Sequence, residues 1–159
     1  MGRRKDPQEL SIFRKQKLKL PMTEDERRRF SDYHAAKNRK KRSTIPYRAH
    51  TLLNSARQSA RKKNLKLTIT QEWIQEKLER GTCEISKIPF VLESRNTGKW
   101  GAGSQQPFAP SLDRTDPVQG YTKENVKLVV WIYNRAKQDS THADVLRLAQ
   151  ALTKSSSVV

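Results

Sequence analysis

Apolar residues change their spacing several times along the chain, and each change predicts an element. Over Met1–Pro21, Leu10, Ile12, Phe13, Leu18 and Leu20 are scattered among basic residues. This segment reads as a short helix or as an arm that orders on nucleic acid. Thr23 with Glu26 three residues on is a capping box, and Phe30, Tyr33 and Ala36 or Lys37 then share one face, predicting a helix to about Arg42. Ser43-Thr44-Ile45-Pro46 interrupts that pattern. From Tyr47 to Asn64 a narrow stripe of Leu52, Leu53, Ala56 and Ala60 predicts a second helix, with Pro46 suited to its first turn. Leu65, Leu67 and Ile69 alternate with Lys66 and Thr68, a brief strand. Thr70 caps a third helix with Trp73, Ile74, Lys77 and Leu78 on its inward face, and Gly81 is its stop. Cys83, Ile85, Ile88, Phe90 and Leu92 around Ser86-Lys87 predict a hairpin. Glu93–Pro110, rich in Gly and Pro, predicts a long loop.

The most informative stretch is Ser111–Asp139, which reads as strand, turn, strand, helix. A short apolar run reaches Asp113-Arg114, and Asp116-Pro117 with Gly120 supply turn residues. Val126, Leu128 and Val130 then follow the two-residue period of a strand. From Trp131 the period lengthens into a helix carrying Tyr133, Asn134 and Lys137. Ser140 or Thr141 caps a last helix whose Val145, Leu146, Leu148, Ala149 and Leu152 are expected to pack inward. These elements predict a basic N-terminal arm and helix over residues 1–43, an α+β module over 44–154 and a disordered tail over 155–159.

Charge changes the picture most. The 159 residues carry 33 Lys+Arg and 16 Asp+Glu, a net of +17. Residues 1–66 hold 21 of these basic and 6 of these acidic residues, a net of +15, leaving +2 for the remainder. A field so large and lopsided suits a polyanion, through counterion release from phosphates. Candidate phosphate contacts are Arg57, Arg61, Lys62, Lys63, Arg135 and Lys137; the bland alternative is a solvated basic surface. Double-stranded DNA is the expected partner, with RNA as the alternative. No apolar face accompanies the basic residues, which speaks against a membrane surface. One cysteine, Cys83, rules out a disulfide framework or a Cys-rich zinc site within one chain. The absence of an 18-residue apolar run and of an apolar leader predicts a cytoplasmic, non-secreted protein.

Asp113-Arg114, Glu124-Asn125-Val126 and Asn134-Arg135-Ala136-Lys137 together resemble the ββα-metal, or HNH (His-Me finger), nuclease motif. The chain is similar to the phage and bacterial subset with Asp-Arg in place of Asp-His, and the likeness covers roughly the last two thirds. The resemblance implies a ββα hairpin-helix core flanked by helices. It implies a metal-dependent DNA endonuclease or nickase with Asp113, Arg114, Asn125 and Asn134 as its catalytic set. Asp113 and Asn134 would hold Mg²⁺ or Mn²⁺, Asn125 would brace the loop, and no structural zinc is expected. Arg114 departs from the pattern. A guanidinium stays protonated, so it can clamp a phosphate but cannot serve as the general base. A base or relay is then sought in His50, Tyr121 or Tyr133, or in a metal-bound water that needs no side-chain base; His34 and, least of all, His142 are further candidates. Each histidine also reads as an ordinary helix residue. The competing expectation is a DNA- or RNA-binding protein that keeps the fold without catalysis.

Overall fold

A computed structural model of the chain describes residues 7–93 and 106–156. Most of the predicted long loop, residues 94–105, and the last three residues of the predicted tail lie outside them. The described residues form α1 (Pro7–Lys17), α2 (Glu24–Arg42), α3 (Ile45–Lys63), α4 (Gln71–Glu79), β1 (Pro110–Arg114), β2 (Val126–Val130), α5 (Trp131–Lys137) and α6 (His142–Ser156). The chain divides into two units, Met1–Lys41 and Arg42–Val159.

The first unit is a helical hairpin. Its capping box is formed: Glu26 N donates to Thr23 Oγ1 at 3.2 Å and Thr23 N donates to Glu26 Oε2 at 3.0 Å. Phe13 of α1 sits 5.3 Å from Phe30 and 4.8 Å from Tyr33, ring centre to ring centre. The aromatic face expected on α2 therefore meets α1. This contact is thin, because α2 has no buried residue.

In the second unit α3 turns Ala49, Leu53, Ala56 and Ala60 inward, and α4 adds Ile74 and Leu78. Thr70 Oγ1 accepts from Trp73 N at 3.3 Å, the side-chain cap expected of an N-cap threonine. β1 and β2 pair antiparallel, with Leu112 opposite Leu128 and Asp113 opposite Lys127. Strand β2 is buried on both faces. Val126 and Leu128 join the cluster under α3 and α4, while Val129 and Val130 pack with Cys83 on the other side. The alternation of this strand is therefore broken at Val129 by burial rather than by a change of period.

Two predicted strands shrink to single bridges. Leu67 pairs with Tyr121 alone, and Thr82 with Pro89 alone. The segment around Ser86-Lys87 is nonetheless a tight knuckle, since Cys83 N donates to Ile88 O at 2.9 Å and Phe90 N to Gly81 O at 2.9 Å. Its Glu84 closes the free edge of β2: Glu84 N donates to Leu128 O at 3.0 Å, and Leu128 N donates to the Glu84 carboxylate, which also pairs with Lys77. A carboxylate thus takes the place of a neighbouring strand's carbonyl. Ladder pairing beyond these bridges is unnecessary.

Helix α6 corrects an expectation. Thr141 is its cap, accepting from Asp144 N at 3.2 Å. Leu146, Leu148 and Leu152, expected to face inward, are each about half exposed at 47%, 54% and 57%. The core they would have joined is already closed by α3, α4 and β2. The helix runs to Ser156, two residues into the predicted tail.

Candidate active site

The hairpin and α5 assemble one small cluster. Helix α5 follows β2 without a linker, so its first turns lie directly against β1. Asn134 and Lys137, three positions apart, share a face of α5. Asn134 Nδ2 donates to Ser111 Oγ at 2.7 Å and to Leu112 O at 3.1 Å. Those bonds fix the amide with its nitrogen on β1, and its Oδ1 has no hydrogen-bond partner among the described residues. Asp113 of β1 is buried, 4% exposed. Asp113 and Asn134, 21 positions apart in the chain, line one cavity of about 120 Å³ together with Leu112, Arg114, Tyr121 and Gln138.

Lys137 corrects a second expectation. It is not on the phosphate-facing surface but 3% exposed, with Nζ donating to Asp113 Oδ1 at 3.2 Å and to Arg114 O at 3.0 Å. A buried carboxylate needs a partner, and Lys137 is the cation that α5 brings within reach. Burial nevertheless pushes the Asp113 carboxyl above its usual range, against the pull of Lys137 and Arg114. Only Oδ1 is committed, so Oδ2 and Asn134 Oδ1 are the two oxygens left to the cavity.

The turn between the strands is held by side chains. Asn125 Oδ1 accepts from Asp116 N at 2.9 Å, while its Nδ2 donates to Asp116 O at 3.0 Å and Gly120 O at 2.9 Å. Arg114 Nη1 donates to Pro117 O at 2.6 Å and Gln119 O at 3.0 Å, and its guanidinium lies 5.1 Å from the centre of the Tyr121 ring. One arm of Arg114 is therefore spent on the turn. Gly120 is required by contact: a Cβ there would stand 2.2 Å from Lys66 O. That close approach lets Tyr121 N donate to Lys66 O at 2.7 Å, which docks the turn against the segment after α3.

The base and relay candidates separate. Tyr121 lines the cavity and is buried. His50 does not approach it; this exposed α3 residue bonds Asn54 at 2.9 Å. His34 lies in the first unit, against Phe30. Tyr133 lies with its hydroxyl 2.9 Å from His142 Nδ1, and burial, followed by the nearby Asp113 and Cys83 charges, pushes its pKa above the phenolic norm. Arg57, Arg61, Lys62, Lys63 and Arg135 are exposed, and Arg57 Nη1 donates to Asn54 Oδ1 at 3.3 Å.

Sequence reasoning missed two features here. The Lys137–Asp113 pair had a signal, the three-residue spacing from Asn134. The Tyr133–His142 pair had none, because it depends on how α6 turns back after Gln138, whose φ is 46°. A larger cavity of about 460 Å³ adjoins the cluster, between α3 and the hairpin with α5, and shares Leu112, Tyr121 and Asn134 with it.

Asp113 and Asn134 form a hard, two-oxygen donor set. It suits a small divalent ion that keeps most of its shell as water, as Mg²⁺ does, and Mn²⁺ accepts the same ligands. Among the described residues no group of three or more His, Cys, Asp or Glu side chains is placed to hold a metal, so any ion here would be held weakly by the protein. No described helix is long and apolar enough to cross a membrane.

No protein-family profile matches the chain, and no curated protein matches it. Among solved structures, it is similar to the rare-cutting HNH restriction endonuclease PacI, at 18% identity over 67% of this chain and 78% of that chain, with a TM-score of 0.46.

Proposed function

We propose that the chain is a metal-dependent nucleic-acid phosphodiesterase, an HNH-like endonuclease or nickase acting on DNA. The observation that carries this reading is that Asp113 of β1 and Asn134 of α5 line one cavity, each with a side-chain oxygen that no hydrogen bond among the described residues takes up. A bound Mg²⁺ or Mn²⁺ would neutralise the scissile phosphate and help the leaving oxygen depart. Asp113 supplies the anionic ligand and Asn134 a neutral one, each held in place by a partner of its own. Lys137 fixes the carboxylate and Ser111 fixes the amide. Arg114 holds the turn through Nη1, and its remaining N–H groups are the donors it has for a phosphate oxygen. Tyr121 borders the same cavity and is the relay candidate among its lining residues. Exposed Arg57, Arg61, Lys62, Lys63 and Arg135 supply sequence-independent grip.

A supercoiled-plasmid nicking assay tests this. Cleavage should require Mg²⁺ or Mn²⁺, stop in chelator and fall by at least about a hundredfold in Asp113→Ala, while gel-shift affinity persists because it rests on the basic surface. Undiminished cleavage in Asp113→Ala would sink the assignment. A second reading, a nucleic-acid-binding protein without catalysis, is favoured by the Lys137 ammonium on Asp113 and by the tethered Arg114. It predicts binding with no nicking under any divalent ion.

A further inference from the structure

The cleft of about 460 Å³ beside the candidate site differs in character from the rest of this basic chain. One wall is a single face of α3, with Thr51, Ser55 and Ser59 spaced four residues apart. The other wall includes Trp131 and Tyr121. Arg48 is the one charged residue among the described residues that line it, and its Nε and Nη2 both donate to Leu92 O. Arg57 and Arg61 lie on the opposite face of α3, nine and thirteen positions from Arg48 at 100° per residue. Lys62 and Lys63 are exposed and follow Ser59 by three and four positions, so positive charge resumes one turn past the cleft's end.

A cleft with an indole and hydroxyls in its walls, whose Arg48 is turned to the Leu92 carbonyl, and which is cationic just beyond one end, offers little to a phosphate. It suits a nucleobase, which is uncharged, has π faces for Trp131 and presents donors and acceptors to the hydroxyls of the α3 wall. Its volume lies in the range of small-molecule sites. A base inside a duplex is stacked and paired, so only an unpaired one can enter.

We propose that this cleft holds an unstacked base beside the Asp113–Asn134 cluster, where a metal would meet the scissile phosphate, and hence that the chain prefers nucleic acid containing an unpaired nucleotide. The position of that phosphate rests on the function proposed above. Trp131 and Ser55 determine the preference. Trp131 offers the stacking surface, and Ser55 stands exposed on the α3 wall, where a larger side chain would obstruct the opening without entering the core.

The test uses the full chain in excess chelator, so that binding is read apart from cleavage. Two DNA duplexes are compared at one salt concentration, one fully paired and one with a single bulged 2-aminopurine. The bulged duplex should bind at least about fivefold more tightly, with quenching of the 2-aminopurine as it stacks. In Ser55→Phe and in Trp131→Ala, each checked by thermal melting, the affinity ratio should fall toward one and the quenching should disappear. Equal affinity for the two duplexes, or a preference unchanged in both variants, would overturn the proposal. The same bulge in an RNA duplex tells which nucleic acid supplies the base. Nicking with divalent ion is scored separately. Preference without nicking defeats the nuclease assignment alone, and nicking without preference defeats the base cleft alone.

Discussion

Lys137 shows how one residue can belong to two different surfaces in sequence and in space. On α5 it looks like one more cation of a basic chain, yet its ammonium is buried against Asp113 and the backbone of Arg114. Removing one partner of a buried pair leaves the other charge uncompensated, so Lys137→Met should lose about 3–5 kcal/mol in urea unfolding. Adding Asp113→Ala to that variant should recover part of the loss. A double variant as unstable as the sum of the two singles would show that the pair is not coupled. Arg114 is comparable in kind: a cation of the hairpin, it spends Nη1 on Pro117 O and Gln119 O and so braces the turn.

At the scale of elements, the hairpin turn and the knuckle after α4 are docked by specific contacts rather than by long ladders. Gly120→Ala forces a methyl group into Lys66 O and should cost about 1–3 kcal/mol by overpacking against backbone, measurable as a lowered thermal midpoint. Glu84 makes the pH-dependent contribution. Burial acts to raise its pKa, but Lys77 and the Leu128 N–H outweigh burial and hold it below the usual glutamate range. A lowered folded-state pKa means that the stabilisation is present above the unfolded value of about 4.3 and is lost as pH falls through the folded one. Glu84→Gln should therefore be less stable than the parent at neutral pH, with the gap closing on acidification. A gap that stayed constant with pH would mean that the carboxylate's charge is not what closes the β2 edge.

For the whole molecule, positive charge is denser in the first unit, which carries a net of +8 against +9 for the much longer second one. Residues 1–41 carry 14 Lys+Arg against 6 Asp+Glu. Their helical hairpin has little core beyond Ile12 and the Phe13 cluster. Deleting residues 1–41 should weaken binding to all duplexes alike and flatten the dependence of log K on log salt, because phosphate contacts carry little sequence information. An unchanged salt slope would place the grip on α3 and Arg135 instead. The exposed leucines of α6 belong to this scale as well: they are surplus to a core already complete without them.

Local rules were sufficient for much of this protein. Thr23, Thr70 and Thr141 cap helices because a hydroxyl before an orphan N–H is a short-range interaction, and Val126–Val130 is a strand by its own alternation. The turn after β1 was legible for the same reason at Asp116 and Pro117, whereas Gly120 is needed for its approach to Lys66 O, a contact that only the tertiary structure shows. The cluster of Asp113 and Asn134 was legible only through the pattern of the whole hairpin and helix. Tertiary structure alone decided the rest. Whether Lys137 faces solvent or Asp113, whether Leu148 and Leu152 are covered, and whether His50 or His142 finds a tyrosine all depend on which surfaces meet. Periodicity assigns a residue to a face of its element; only the packing of elements determines what that face touches.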